Sequence, residues 1–275
     1  MLRAATTSLA AARAVTHTQT AAISVASSVF LVTGGGSGLG GATAEAIVAG
    51  GGKVGIIDID GEKAEAMAEK LGAESAVAFQ ADVTSVDQIK AAVDGTVAKF
   101  GKLNGAVNAA GIANATRLLK TDLDTIRKVY DVNVVGTINT IQQATLAMNE
   151  MEPDAESGER GAFVNTASVA AFDGQIGQVA YSASKGAIHA LSIVLARELT
   201  GYGIRCNTIA PGIFDTPLLA SLPEKARQSL ANQVPFPKRL GDPAEFGKAA
   251  VAIIENGYLN GETIRVDGAL RMAAN

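Results

Sequence analysis

Tryptophan is absent from this 275-residue chain, cysteine occurs once (Cys206), histidine twice (His17 and His189), and aromatic residues make up only 4%. One cysteine rules out an internal disulfide framework and suits a reducing compartment. His17 and His189 stand apart from each other and from Cys206, so no set with metal-ligand spacing forms and no metal is expected. Basic excess is also missing: the net charge is −4, with no basic stripe, which removes the electrostatic footprint of nucleic-acid binding. Long apolar runs are lacking too, because VGIIDID and GAFVNTAS are short and broken by polar residues, so no membrane span is expected. What is abundant is apolar residues (48%) and glycine (30 residues), enough for a sizeable core and many tight turns. The expectation is a soluble, intracellular globular protein.

Acidic residues are missing from the start of the chain; the first is Glu45. Residues 1–28 are rich in Ala, Ser and Thr and carry Arg3 and Arg13, a composition that suits a mitochondrial transit peptide, and so a matrix location. Arg13 falls beside Leu2 and Leu9 on a helical wheel, however, which is a poor amphipathic signal, and a disordered tail or an early start codon reads equally well. In either of those cases the location would be cytoplasmic. The folded domain is expected over residues 29–275.

From Val29 onward short β-rich runs alternate with helical ones. VFLVT, KVGIID, AVAFQ, LNGAVN, AFVNTA, IRCNTIA and ETIRVDG read as strands. Between them lie helices over Ser37–Ala49, GEKAEAMAEKLG, VDQIKAAVDGTVAKFG, a long one from Leu123 to Asn149, Ala180–Leu199 and two further segments. Strands apolar on both faces, alternating with amphipathic helices, predict one α/β, doubly wound Rossmann-type domain around a parallel sheet of about seven strands. The stretch from Pro211 to Pro243 holds six of the seven prolines and is long and irregular, as expected of a lid beside a site.

The first strand runs into TGGGSGLGG. Glycines after a strand let the backbone turn sharply and approach a pyrophosphate, whose charge then meets the N-terminus of the following helix. Two registers fit: Gly36, Gly38 and Gly41 as G-x-G-x-x-G, or Gly34, Gly38 and Gly40 as T-G-x-x-x-G-x-G beginning at Thr33. The second is preferred because its first glycine directly follows the strand. Asp58 ends the second strand, where a carboxylate accepts hydrogen bonds from a ribose diol. Taken alone, it reads equally as a turn or helix-cap residue.

Ser168 ends an apolar run, Tyr181 follows thirteen residues later and Lys185 four beyond that. Tyr181 and Lys185 therefore share one helix face. A tyrosine hydroxyl has a reference pKa near 10, and a lysine ammonium beside it is expected to favour the phenolate and bring it closer to working pH. Ser168, at the C-terminal end of its strand, is placed to hold a substrate oxygen. Such a cluster suits an alcohol that loses its hydroxyl proton as its carbon loses a hydride. His189, eight residues past Tyr181, and Cys206 read as packing residues.

With N-A-A-G at Asn108–Gly111 between them, these motifs in this order resemble the short-chain dehydrogenase/reductase family over residues 29–275. The resemblance implies a catalytic group of Ser168, Tyr181 and Lys185, completed by Asn133. It implies cofactor contacts from Thr33, Gly34, Ser37, Gly38, Leu39, Gly40, Asp58, Asp82, Val83, Asn108, Ala109, Gly111, Tyr181, Lys185, Phe214 and Thr216. NTASVAAFDGQIGQVAYSASKGA and AIIENGYLNGETIRVDGALRM further resemble the 3-hydroxyacyl-CoA dehydrogenase type 2 subfamily. This resemblance implies NAD as cofactor, Gln175 and Gln178 as pocket-lining residues beside Ser168 and Tyr181, a hydroxyacyl-CoA or hydroxysteroid substrate, and a homotetramer. The connection after Gly111 is shorter than in that subfamily. Other members remain open: a steroid or other secondary-alcohol dehydrogenase, or a 3-oxoacyl carrier-protein reductase. A non-enzyme role as scaffold subunit of a tRNA-processing complex is open as well.

Overall fold

The computed structural model describes residues 23–220 and 223–274. Most of the expected targeting segment thus lies outside the described residues. In chain order the elements are β1 (Val29–Thr33), α1 (Gly38–Ala49), β2 (Lys53–Asp58), α2 (Gly61–Leu71), β3 (Ala76–Gln80), α3 (Val86–Phe100) and β4 (Gly105–Asn108). They continue as α4 (Leu123–Tyr130), α5 (Gly136–Asn149), β5 (Gly161–Thr166), α6 (Val179–Glu198), β6 (Ile204–Pro211), the short α7 (Pro217–Ala220), α8 (Glu224–Ala231), α9 (Pro243–Glu255) and β7 (Thr263–Val266).

The strands form one parallel sheet in the order β3-β2-β1-β4-β5-β6-β7. Every residue of β1, β4, β5 and β6 is buried, which is why these runs are apolar without alternation. Side chains still alternate between faces. Phe30, Val32, Ile56 and Val164 pack with Ile47 of α1 and Phe246 and Ile254 of α9. Leu31, Ile57 and Phe163 pack on the other side with Ile89 and Val93 of α3 and Ile141 and Met148 of α5. The strand order reverses between β1 and β4, and a crevice opens at their C-terminal ends, the place where ligands bind in such sheets.

Three expectations need correction. The domain begins before residue 29: Val25 is fully buried in the α1/α9 core, and the Ile23 amide donates to Glu159 Oε2 at 3.2 Å. The helix expected from Leu123 to Asn149 is interrupted by a π-helical turn at Asp131–Val135, a feature that helical periodicity does not reveal and that is frequent at functional sites. Finally, the helical stretch Val179–Tyr202 is long and apolar enough, by length and composition, to cross a membrane. It packs on β6 and buries Lys185, as a core helix of a globular domain does.

Candidate active site

The glycine loop joins β1 to α1 across the sheet's switch point. Two residues of the preferred register, Gly34 and Gly40, would place a β-carbon against backbone. Gly34 has φ +63° and a β-carbon there would lie 2.9 Å from the Ala110 backbone; one at Gly40 would lie 2.2 Å from the Gly34 carbonyl oxygen. At Gly36 and Gly41 the nearest obstacles are the side chains of Lys63 and Met67. Gly38 (φ +55°) opens α1, and the lid residues Thr216 and Pro217 sit 3.7 Å from where its β-carbon would be.

The start of α1 differs from those of α2, α3, α4 and α9. Asp60, Ser85, Asp122 and Asp242 each cap their helix with a side-chain hydrogen bond, whereas the Ser37 hydroxyl makes none and the first turn of α1 has no acid. Its backbone N–H groups are therefore available to an anion, and the glycine cradle lets one approach. Asp58 stands at the rim of this cradle, its Oδ2 accepting the Gly36 N–H at 3.0 Å and its Oδ1 the Asp60 N–H at 3.1 Å. Each oxygen keeps a lone pair for a ribose hydroxyl. The residues present fit a dinucleotide.

The wall opposite is the turn after β4. Ala109 donates its N–H to the Thr33 carbonyl, and Ala110 to Thr33 Oγ1, both at 3.2 Å. A β-carbon on Gly111 would lie 3.1 Å from Asn133 Oδ1 and 3.4 Å from Lys185 Nζ. Only glycine lets this turn lie against both groups. Three of the expected cofactor residues have side chains buried or engaged away from the crevice. The Asn108 amide turns under the sheet to Asn165 Oδ1 (2.9 Å), and Phe214 is buried edge-on against Phe246. Val83 is buried with its carbonyl taken by Asn139. Asp82 is tied to Thr84 at the outer end of the crevice.

Ser168 follows β5, and Tyr181 and Lys185 rise from α6 to meet it. The Ser168 hydroxyl accepts the Ala170 N–H at 3.1 Å and lies beside the Tyr181 phenol, whose pKa it acts to lower. Lys185, 5% exposed, donates to the Thr166 carbonyl at 2.7 Å, and its Nζ lies 5.8 Å from the Tyr181 ring centre. Asn133, presented by the π-turn, clasps the Ile112 backbone with both ends of its amide and donates to Ser184 Oγ at 3.0 Å; that hydroxyl in turn donates to the Tyr181 carbonyl. Ser184 and the Thr166 carbonyl are absent from the sequence-based set. A Ser within Y-x-x-x-K is a signal of a kind, whereas a backbone carbonyl leaves none. Gln175 and Gln178 lie on the loop entering α6 and contact each other; the Gln175 amide also donates to the Ala273 carbonyl at 3.0 Å.

The electrostatics differ from expectation in one respect. Burial pushes the Tyr181 phenol above its ordinary value, and the Ser168 hydroxyl only partly opposes this. Desolvation, not the neighbouring Lys185, sets the direction. Burial also lowers the Lys185 ammonium, to about 8. Lys185 therefore releases its proton near pH 8, while the buried Tyr181 phenol holds its own. Oxidation of an alcohol needs this vacancy, so its kcat should rise about tenfold per pH unit below the transition and level off above it. A kcat flat between pH 6 and 9 would contradict this assignment. Lys185 also makes stability pH-dependent. Its folded value of about 8 lies below the ordinary 10.5, so between the two the unfolded chain binds more protons and stability rises with pH.

The comparisons with known proteins agree with this geometry. The profile of the short chain dehydrogenase family matches residues 28–227. The chain is 51% identical over 255 residues to the 3-hydroxyacyl-CoA dehydrogenase type-2 of Bos taurus, covering 90% of this chain and 97% of that protein. Among solved structures it resembles a 3-hydroxyacyl-CoA dehydrogenase type-2 from Mycobacterium avium, with TM-score 0.85, 41% identity and coverage of 90% and 97%. It also resembles a 3-ketoacyl-(acyl-carrier-protein) reductase from Brucella melitensis complexed with NADH, with TM-score 0.82, 29% identity and coverage of 89% and 98%. With its parallel sheet, its glycine cradle and its Ser168–Tyr181–Lys185 cluster, the chain belongs to the short chain dehydrogenase family.

Proposed function

We propose that this protein is an NAD(H)-dependent dehydrogenase interconverting a secondary alcohol and a ketone, with 3-hydroxyacyl-CoA esters, including 3-hydroxy-2-methylacyl-CoA, as substrates. The observation that carries the chemistry is the Tyr181 phenol beside the Ser168 hydroxyl, with buried Lys185 5.8 Å from its ring centre. The substrate class rests on the half-identical relative named for it. The nicotinamide, when bound, accepts hydride from the carbinol carbon. The chain's own residues do the rest. Backbone N–H groups of the glycine loop and α1 hold the pyrophosphate, Asp58 holds the adenosine ribose, and Ser168 orients the substrate oxygen. Tyr181 takes the hydroxyl proton, and Lys185 sets its electrostatics. Asn133 fixes Ile112 and Ser184 around the pair.

The substrate entrance is built from residues 112–121 and the lid after β6. Leu118 and Leu119 are exposed there, Leu119 almost fully (98%), with Arg117 and Lys120 beside them. The short connection leaves this entrance open, so branched or bulky acyl groups should be tolerated and the CoA moiety held weakly. Kinetics on a 3-hydroxyacyl-CoA and on its truncated thioester should give kcat/KM values within about tenfold, the scale of one lost surface contact. A preference of orders of magnitude for the full ester would show that Arg117 and Lys120 grip the CoA phosphates. Inactivity on all hydroxyacyl thioesters, with turnover of steroid alcohols, would move the substrate class to the steroid reading. The carrier-protein reductase reading is disfavoured by identity, 29% to the similar reductase against 51% to the 3-hydroxyacyl-CoA dehydrogenase, and the scaffold reading finds no support in the comparisons.

A homotetramer fits the same reading. Val179, Ile193 and Val194 of α6, and Val135, Ile138 and Leu146 on and beside α5, are exposed apolar residues on long helices, as expected of subunit contacts. A matrix location is supported by the acid-free composition of residues 1–28 if they are a transit peptide; otherwise the protein is cytoplasmic.

A further inference from the structure

The loop of residues 172–178 runs from the Ser168 turn to the start of α6 and carries Gln175 and Gln178. It is held from outside by residues far along the chain. Arg265 on β7 donates from Nη2 to Asp173 Oδ2 at 2.6 Å and to the Leu270 carbonyl at 3.0 Å, and from Nε to Asp267 Oδ2 at 2.8 Å. Its guanidinium also lies 5.1 Å from the centre of the Phe172 ring, which contacts the His189 ring at 4.9 Å. One planar cation thus joins the loop to the segment after β7. That segment turns at Ala269, a non-glycine residue at φ +65°, and is anchored by buried Leu270. It then runs alongside the loop, where the Ala273 carbonyl accepts the Gln175 side-chain amide and the Ala274 carbonyl accepts the Ile176 N–H, each at 3.0 Å. From the α6 side the loop presses close enough that a β-carbon on Gly174 would meet Ser182 Oγ at 2.8 Å. The Arg265–Asp173 pair is only 20% exposed on either side chain, so solvent weakens it less than a surface pair. The guanidinium also keeps the Asp173 carboxyl below its ordinary value, so the pair stays charged across neutral pH.

We propose that Arg265 and the C-terminal strap of residues 267–274 form a brace that fixes Gln175 and the 172–178 loop as a wall of the substrate pocket, making Arg265 a positioning residue for substrate specificity. The proposal rests on the dehydrogenase reading above for what the pocket holds. It does not depend on which alcohol is oxidised. Gln175 links the two parts directly, because its side chain is bonded to the strap while its backbone shapes the pocket loop.

The test uses the full chain with Arg265→Met, which keeps the stem against Phe172 but removes the fork, Arg265→Lys, and a chain ending at Arg271. For Arg265→Met and the shortened chain, KM for the best secondary-alcohol substrate should rise about tenfold, the scale of a lost charge-assisted hydrogen bond. kcat and NADH affinity by fluorescence titration should stay within about twofold, because the glycine loop is untouched. Arg265→Lys should recover only part of the KM, since an ammonium cannot bond Asp173, Asp267 and Leu270 in one plane. Amide hydrogen exchange should quicken at residues 172–178 and not at residues 33–41. An unchanged KM, exchange unaltered in the loop, or NADH affinity falling in step with KM would each overturn the brace. Failure of the wild type on hydroxyacyl-CoA alone would overturn the substrate reading instead, since the exchange measurement and the KM on any other alcohol still report on the brace.

Discussion

Tyr181→Phe should lower turnover by about 100-fold to 10,000-fold, the range typical of a lost general acid–base group, while NADH still binds. That loss corresponds to roughly 3–5 kcal/mol of transition-state stabilisation. Phenylalanine keeps the ring that packs beside Lys185 and removes only the hydroxyl beside Ser168, so folding should be preserved. The substrate hydroxyl then has no partner able to take its proton within the cluster. Lys185 cannot substitute, because its Nζ is turned to the Thr166 carbonyl at 2.7 Å. Lys185→Ala should be as damaging for a second reason. It leaves the buried Thr166 carbonyl unpaired and opens a cavity next to Gly111, so cofactor affinity should fall together with turnover. Near-normal turnover by a correctly folded Tyr181→Phe protein would remove this residue from the chemistry. Unchanged cofactor affinity in Lys185→Ala would limit the lysine to acting on the phenol.

The fold was legible because the strands bury both faces. VFLVT, KVGIID and AVAFQ appear in the structure with the boundaries their composition suggests. Gly72 and Gly101 close α2 and α3 as glycines after helical runs should. The interruption at Asp131–Val135 was not legible, since DVNVV continues the apolar spacing of a regular helix and the π-turn follows from what Asn133 must reach. Residues 23–28 looked like the end of a tail because their only apolar anchors are two isolated residues, Ile23 and Val25; both are buried by packing that no local pattern encodes.

At the site, side chains that advertise their chemistry were legible, and partners that do not were missed. Tyr181 and Lys185 announce themselves by spacing, and Ser168 by its place after a strand. The Thr166 carbonyl that orients Lys185 has no side-chain signature. Arg265 and Asp173 are 92 positions apart, so nothing in either neighbourhood names the other. Lys63 was missed in the same way. The sequence places it five positions after Asp58, but the turn into α2 folds it back against Gly36.

Cofactor choice follows from that corner. A 2′-phosphate in place of the ribose hydroxyl would bring negative charge close to the Asp58 carboxylate. At an effective dielectric of about 20, two unit charges about 4 Å apart repel by about 4 kcal/mol, or about a thousandfold in affinity before screening by salt. Ile59, the next residue, is 68% exposed and offers no charge. Among the described residues, the cation beside this corner is Lys63, whose exposed ammonium pairs at 2.6 Å with Asp60, the cap of α2. Wild-type protein should therefore prefer NADH over NADPH by at least about tenfold even in physiological salt. Asp58→Asn should narrow the preference by removing charge while keeping an acceptor for the Gly36 N–H, so the glycine loop stays in place. Asp58→Ser with Ile59→Arg should narrow it further or reverse it, since an exposed guanidinium adds a bidentate phosphate donor. The measurement is kcat/KM with each cofactor for the three proteins. Wild-type protein that used NADPH as readily as NADH would mean that Lys63 leaves Asp60 for the phosphate, and that Asp58 does not select the cofactor.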